Sequence, residues 1–147
     1  MKASIFLLVA LSGAVLSMTD RRVKKFKNQH IISSVPQGGC DDLIENRNIR
    51  DNNNRCKSKN TFIIGSFGRV RRICSQNNYV GHPNFYRSPK RVDILHCELS
   101  GGTNDNPCRY ENKRMKRRIT IACNKINNFL HWKQMYVCCF PESKRKC

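Results

Sequence analysis

The sequence predicts a single α+β domain that is held together by disulfide bonds. Apolar residues fall on one face of a short helix in residues 23–30, and residues 43–49 suggest a second short helix. Runs that favour strands follow at residues 61–64 and 119–122, and residues 129–137 mix apolar and polar residues in a strand-like way. Because the helical patterns come early and the strand patterns late, the order favours α+β over α/β.

Length, charge and cysteine content restrict the class of protein. The chain has 147 residues, of which 28 are Lys or Arg, 10 are Asp or Glu and nine are Cys, with a formal net charge of +18. One domain fits this length, and a cytosolic metabolic enzyme or a multidomain scaffold is disfavoured. The excess of positive charge favours a polyanionic partner.

The first 17 residues have the layout of a cleaved signal peptide. Lys2 is followed by an apolar run at residues 5–11 and by small residues up to Ser17, and this run is too short to span a bilayer. An uncleaved buried helix is the alternative, and the abrupt start of charge at Asp20 disfavours it. We therefore expect a secreted, extracellular protein whose mature domain is 18–147.

The nine cysteines form two groups. Six are spread through the domain and three crowd the end of the chain, at Cys138, Cys139 and Cys147. No Cys-x-x-Cys pair occurs, so a zinc site is improbable, and the six spread cysteines indicate three disulfides whose pairing the spacing alone leaves open. Adjacent Cα atoms are only about 3.8 Å apart, so a Cys138–Cys139 bridge is disfavoured. Cys147 can pair with either one, which leaves a thiol that is free or joined to another molecule.

Three segments carry residues typical of acid–base chemistry. In order they are FKNQH, which ends at His30, CKSKNTF, which begins at Cys56, and FLHW, which contains His131. This ordered set resembles the pancreatic-type ribonuclease family, which includes angiogenin. The resemblance extends to about Trp132 and leaves the basic, cysteine-containing tail 133–147 unaccounted for.

The resemblance implies a fold and a disulfide pattern. The implied fold is a bent antiparallel sheet with three short helices, and the implied bridges are Cys40–Cys97, Cys56–Cys108 and Cys74–Cys123. The segment between Cys74 and Tyr86, where a fourth bridge would close a short loop, has no cysteine. Three bridges without the fourth are the angiogenin-like pattern.

The resemblance also implies a reaction that needs neither metal nor cofactor. Cleavage of RNA by its own 2′-hydroxyl needs one base, one acid and a fixed cation, and two histidines suit the proton transfers near neutral pH. His30 is the expected base, His131 the expected acid and Lys57 the expected electrostatic stabiliser. DNA lacks the 2′-hydroxyl and cannot be cut in this way.

Further residues are expected to bind the RNA substrate. By resemblance, the Gln29 side chain and the backbone N–H of Trp132 contact the scissile phosphate. The hydroxyl of Thr61 both donates and accepts, which suits the edge of a pyrimidine. Asn84 and Asn124 are expected near the downstream base. The predicted activity is therefore cleavage of RNA on the 3′ side of pyrimidines through a 2′,3′-cyclic phosphate, with a host-defence or angiogenic role.

Three positions depart from the family pattern, and one of them is Asn124, which replaces the usual acidic residue near the downstream base. A carboxylate commonly follows the His-aromatic pair, but Lys133 stands there, and its charge should disfavour protonation of His131 and reduce activity. The position that usually helps Thr61 to choose between pyrimidines is occupied by His96, so the preference between cytosine and uracil stays open. His82 has no assigned role.

Basic clusters supply the alternative function. They comprise residues 21–25, 69–72, 87–91, 113–118 and 144–146. Each cluster alone can be a solvated surface, but their summed positive charge exceeds what RNA binding needs. The rival reading is a cationic antimicrobial effector that binds anionic microbial membranes or heparin-like polyanions and has weak nuclease activity. Residues 113–118 also resemble a weak nuclear-import or heparin-type patch. A structural or hormone-like role is a third option, and the protein is expected to be a monomer.

Overall fold

The computed structural model of the protein describes residues 21–81, 84–102 and 107–123. Three helices lie in these segments: α1 at residues 21–30, α2 at Gly39–Asn46 and α3 at Phe67–Arg71, with a 3₁₀ turn at Gln76–Asn78. The strands are β1 Ile31–Ile32, β2 Lys59–Ile64, β3 Tyr79–Gly81, β4 Phe85–Arg87, β5 Val92–Gly101, β6 Arg109–Arg117 and β7 Thr120–Ala122.

The strands form two small sheets, as the predicted α+β class requires. The larger sheet has the order β1-β2-β5-β6 and the smaller one the order β3-β4-β7. Neighbouring strands are antiparallel, except that the two-residue β1 runs parallel to β2. The register of the larger sheet places Thr61 of β2 directly opposite His96 of β5.

Three disulfides fasten the helices and loops to these sheets. The pairs are Cys40–Cys97, Cys56–Cys108 and Cys74–Cys123, which confirms the pairing that the resemblance implied. Cys40 of α2 is thereby joined to β5, and each bridge contributes roughly 2–4 kcal/mol to stability.

Two apolar clusters form the core, one on each face of the larger sheet. The first contains Phe26 of α1, Ile63 of β2 and Ile121 of β7. The second contains Leu43 of α2 and Phe62 of β2. Because successive side chains of a strand point to opposite faces, Phe62 and Ile63 belong to different clusters. The strand β2 therefore packs between α1 and α2.

The early helices agree with the sequence pattern, with some differences at their ends. α2 ends at Asn46, so Ile49 lies beyond the helix, although it is completely buried in the second cluster. The composition of residues 51–54 predicts a loop, and they form a turn in which the Asp51 carboxylate accepts from the backbone N–H of Asn53 and of Arg55. The helix α3 was not located from the residues; the hydroxyl of Ser66 caps its start by accepting from the backbone N–H of Arg69.

The composition of residues 100–107 predicts a long turn, but the first two of these residues belong to a strand. Ser100 and Gly101 still belong to β5, because Gly101 is paired with Arg109 and the Ser100 hydroxyl donates to the Arg109 carbonyl. The predicted signal peptide 1–17, the tail 133–147 and the strand-like residues 129–137 lie outside the described residues. Within the described part of the chain, no helix combines the length and apolar character that crossing a membrane requires.

Candidate active site

The site is built on the middle of β2 and the end of α1. His30 is the last residue of α1, and its Nδ1 lies 2.9 Å from the backbone carbonyl oxygen of Thr61. A carbonyl oxygen can only accept, so Nδ1 must carry the hydrogen of the ring. In the neutral ring, the lone pair that can take a proton is therefore on Nε2.

The environment of His30 keeps the ring neutral. Its side chain is 8% exposed, and its ring lies 5.4 Å from the ring of Phe26. Burial lowers the pKa of His30 to about 3, the hydrogen bond to Thr61 opposes this shift, and the positive charge of Lys57 adds to it. His30 is thus a proton acceptor rather than a donor at neutral pH.

Asn60 holds the cation and the end of α1 together. Its side chain is buried; Nδ2 donates to the Gln29 carbonyl at 2.8 Å, and Oδ1 accepts from Lys57 Nζ at 3.0 Å. Burial, reinforced by the charge of Lys25, lowers the pKa of the Lys57 ammonium. The CKSKNTF motif therefore supplies both the cation and the side chain that aims it.

The C-terminal end of α1 is fixed from α2. The guanidinium of Arg47, directly after α2, donates to the carbonyl oxygens of Asn28 at 2.9 Å and of Ile31 at 2.7 Å. These carbonyls flank Gln29 and His30. Because the last carbonyls of a helix lack partners within the helix, this contact satisfies them and fixes the orientation of His30.

Thr61 is connected to two further polar side chains. Its Oγ1 lies 2.8 Å from His96 Nδ1, and His96 Nε2 lies 3.2 Å from Glu98 Oε1. Glu98 also lies 3.7 Å from the ammonium of Lys113 on β6. Sequence reasoning placed His96 beside Thr61 but missed Asn60 and Glu98. The signal for Asn60 was its place in the CKSKNTF motif. The signal for Glu98 was its two-residue spacing from His96, which puts both side chains on one face of a strand.

The structure brings together only part of the predicted site. His30, Lys57, Thr61 and the backbone of Gln29 converge at β2. Asn84 lies directly before β4 of the smaller sheet, where its carbonyl accepts from the backbone N–H of Cys123. The predicted residues His131, Trp132 and Asn124, with Lys133 and His82, lie outside the described residues. Within those residues, no three side chains of His, Cys, Asp or Glu cluster as a metal ion would need.

Comparisons with known proteins agree with this geometry. The pancreatic ribonuclease family model matches residues 21–141, which continues past Trp132, where the resemblance was expected to end. Brain ribonuclease of Ovis aries is 34% identical over 67% of this chain and 73% of its own length. Pancreatic ribonuclease of Iguana iguana is 32% identical over 67% of this chain and 85% of its own. The X-ray structure of zebrafish RNase5 superposes with a TM-score of 0.70 at 23% identity, covering 86% of this chain and 98% of that one, which supports the fold.

A disulfide-bonded α+β fold that brings a buried histidine at the end of α1 close to a lysine just before β2 is thus the framework of a ribonuclease. The chain belongs to the pancreatic ribonuclease family. RNA is accordingly its substrate class.

Proposed function

We propose that the protein is a secreted endoribonuclease that cleaves RNA on the 3′ side of pyrimidines through a 2′,3′-cyclic phosphate. The observation that supports this most is the fixed tautomer of His30. Its Nδ1–H is engaged by the Thr61 carbonyl, which leaves Nε2 as the proton acceptor of the neutral ring beside the Lys57 ammonium.

The proposed reaction has two steps. His30 Nε2 takes the proton of the 2′-hydroxyl, and O2′ attacks the adjacent phosphorus while the bond to the 5′-oxygen breaks. His131 protonates the departing oxygen. Water then opens the cyclic phosphate with the two histidines in reversed roles. Lys57 stabilises the negative charge that the pentacoordinate phosphate gains, and Asn60 holds its ammonium in position.

The remaining substrate contacts follow the family pattern. We propose that Gln29 and the backbone of Trp132 bind the scissile phosphate, that Thr61 reads the pyrimidine, and that Asn84 and Asn124 approach the next base. The predicted division into a signal peptide 1–17 and a mature domain 18–147 belongs to the same proposal, as does a host-defence or angiogenic role.

Two histidine variants test the assignment of the acid. His131→Ala should reduce cleavage of tRNA by several orders of magnitude in the presence of EDTA, because the departing oxygen then lacks its proton donor. His82→Ala is the matched control, since that histidine has no assigned role, and it should cleave as the wild type does. Equal activity of the two variants would overturn the assignment of His131.

A second candidate function, binding of a polyanion, is favoured by a groove on the larger sheet. The groove has a volume of about 440 Å³ between the end of β2, α3 and residues 88–93. Five exposed cations line it, and they come from three of the basic clusters: Arg69, Arg72, Lys90, Arg91 and Lys116. Asp93 also lines the groove, and its carboxylate is paired with Arg114 at 2.9 Å. The fold thus brings separate basic clusters into one positively charged groove.

The lining favours a sulfated polysaccharide over RNA or a membrane. Among the described residues, no aromatic side chain lines the groove, so these residues offer no surface for stacking bases, whereas sulfate groups need only cations. A concave groove also cannot engage a flat bilayer along its length. We therefore propose a heparin-like chain as its occupant.

Matched charge variants test this candidate. Arg69→Gln, Arg72→Gln and Lys90→Gln together should weaken binding of a heparin oligosaccharide and lower the salt dependence of binding, because fewer counterions are released. Arg21→Gln, Arg22→Gln and Arg55→Gln remove the same charge outside the groove and should weaken binding less. Equal losses in both triple variants, or a preference of the groove for single-stranded RNA over heparin, would contradict the candidate.

A further inference from the structure

The Thr61 hydroxyl is the end of a chain of hydrogen bonds that joins two strands. Thr61 Oγ1 lies 2.8 Å from His96 Nδ1, and His96 Nε2 lies 3.2 Å from Glu98 Oε1. His96 faces Thr61 across the β2–β5 pairing, and Glu98 is two residues farther along β5, on the same face. A hydroxyl can donate or accept, so the state of His96 decides which of the two Thr61 offers to a substrate.

When His96 is neutral, the direction of each hydrogen bond is fixed. The hydrogen bond from His96, followed by the charge of Lys113, holds the pKa of the Glu98 carboxyl below its usual range, so this carboxylate is an ionised acceptor. The ring hydrogen of His96 is therefore on Nε2, and Nδ1 accepts from the Thr61 hydroxyl. A lone pair of Thr61 Oγ1 then faces the substrate.

When His96 takes up a proton, the bond to Thr61 reverses. Both ring nitrogens of an imidazolium donate, so Nδ1 donates to Thr61 Oγ1 and the hydroxyl hydrogen turns outward. The ring atom N3 of uracil carries a hydrogen and needs an acceptor, whereas N3 of cytosine is itself an acceptor and needs a donor. The two states of His96 thus suit different pyrimidines.

We propose that His96 makes the pyrimidine preference of this enzyme depend on pH, with uracil favoured when His96 is neutral and cytosine gaining when it is protonated. This inference rests on the proposed role of Thr61 in reading the base. His96 acts as a specificity-determining residue through the Thr61 hydroxyl and does not itself touch the substrate.

The charges around His96 come from each neighbouring strand. Glu98 on β5 and Glu111, opposite Glu98 on β6, are acidic, whereas Lys113, opposite His96 on β6, and Lys59, opposite Glu98 on β2, are basic. His30 contacts the carbonyl of Thr61, and its pKa of about 3 keeps it neutral above pH 5. Histidines in general change charge between about pH 5 and 8, which sets the pH range of the test.

The test compares two dinucleotides across pH. The kcat/KM ratio of UpA to CpA should rise about tenfold between about pH 5 and 8, because a hydroxyl that presents the wrong hydrogen-bonding partner leaves the base edge unsatisfied. Both substrates use the same catalytic histidines and the same folded fraction, so these effects cancel in the ratio. In His96→Gln the ratio should not vary with pH. In Glu98→Gln the change should move to lower pH, because the carboxylate charge that favours the imidazolium is gone.

Three results would overturn the inference. The first is a wild-type kcat/KM ratio of UpA to CpA that stays constant between about pH 5 and 8. The second is a His96→Gln variant in which this ratio varies with pH as in the wild type, because another group would then cause the change. Cleavage of neither dinucleotide would refute the proposed function and the inference with it, whereas cleavage of both with a constant ratio refutes the inference alone.

Discussion

Replacing Asn60 by alanine should lower both the free energy of unfolding and kcat, and the two losses can be measured separately. The side chain makes two hydrogen bonds from a buried position, one to the Lys57 ammonium at 3.0 Å and one to the Gln29 carbonyl at 2.8 Å. A bond to a charged group contributes roughly 1.5–3 kcal/mol and a neutral one roughly 0.5–1.5 kcal/mol. We therefore expect Asn60→Ala to lower the free energy of unfolding by about 2–4.5 kcal/mol.

The same substitution should reduce kcat more than it affects KM. Lys57 loses the acceptor that orients its ammonium, and a misplaced cation stabilises the transition state less; a loss of about 1.4–2.8 kcal/mol there is about 10- to 100-fold in kcat. Asn60→Asp keeps an acceptor for Lys57 but places a carboxylate against the Gln29 carbonyl. It should therefore be destabilised while retaining more of the wild-type kcat.

Urea unfolding with intact disulfides and steady-state cleavage of UpA measure the two effects. Equal losses of kcat in Asn60→Ala and Asn60→Asp would show that Asn60 does not act through Lys57. A kcat in Asn60→Ala within about twofold of the wild type would refute the reasoning altogether.

Three further outcomes are expected. The pKa of His30 falls from 6.5 in the unfolded chain to about 3 in the folded protein, so the neutral buried ring contributes on the order of 4–5 kcal/mol to stability. This contribution is complete above pH 6.5 and is lost as the pH falls towards 3. Urea midpoints measured from pH 7 to 3.5 should show this loss of stability, and the loss should be smaller in His30→Ala. Thr61→Gly removes the methyl and hydroxyl that shape the pyrimidine pocket, so its relative kcat/KM for substrates with a purine at the upstream base should rise; no rise would exclude Thr61 from base selection. Lys133→Asp should increase UpA cleavage and move the alkaline limb of the pH–rate profile upward, and an unchanged rate would show that Lys133 does not act on His131.

Local sequence motifs predicted the part of the site that lies within one segment. Lys57 and Thr61 stand in one seven-residue motif, and His30 ends a helix whose apolar face is visible in the spacing of Phe26 and His30, whereas the role of Asn60 in the same motif was not predicted. In these cases the residues that fix the local backbone are also the residues that carry the chemistry.

Side-chain contacts that depend on strand register were not visible in any local sequence motif. Glu98 reaches His96 because both lie on one face of β5, and His96 reaches Thr61 only because β2 and β5 pair in one particular register. The positively charged groove likewise unites residues from α3, residues 88–91 and β6, which are far apart in the chain. Composition showed the charge but not its convergence.

The helix α3 shows a further limit of sequence patterns. It has only five residues, Phe67–Arg71, and one of them, Val70, is buried. So short a helix contains too few apolar positions to display a helical period. Packing of Val70 into the core and the Ser66 cap determine its place, and both depend on the tertiary structure.

The central claim is that His30 removes the proton of a 2′-hydroxyl. In the most direct measurement, the refolded mature protein is incubated in the presence of EDTA with UpA or with the analogue of UpA that lacks the 2′-hydroxyl on uridine. The products are then identified by mass spectrometry. We predict that UpA gives uridine 2′,3′-cyclic phosphate, that the deoxy analogue stays intact, and that His30→Ala forms the cyclic product several orders of magnitude more slowly. Cleavage of the deoxy analogue, or formation of the cyclic phosphate by His30→Ala at the wild-type rate, would contradict this account.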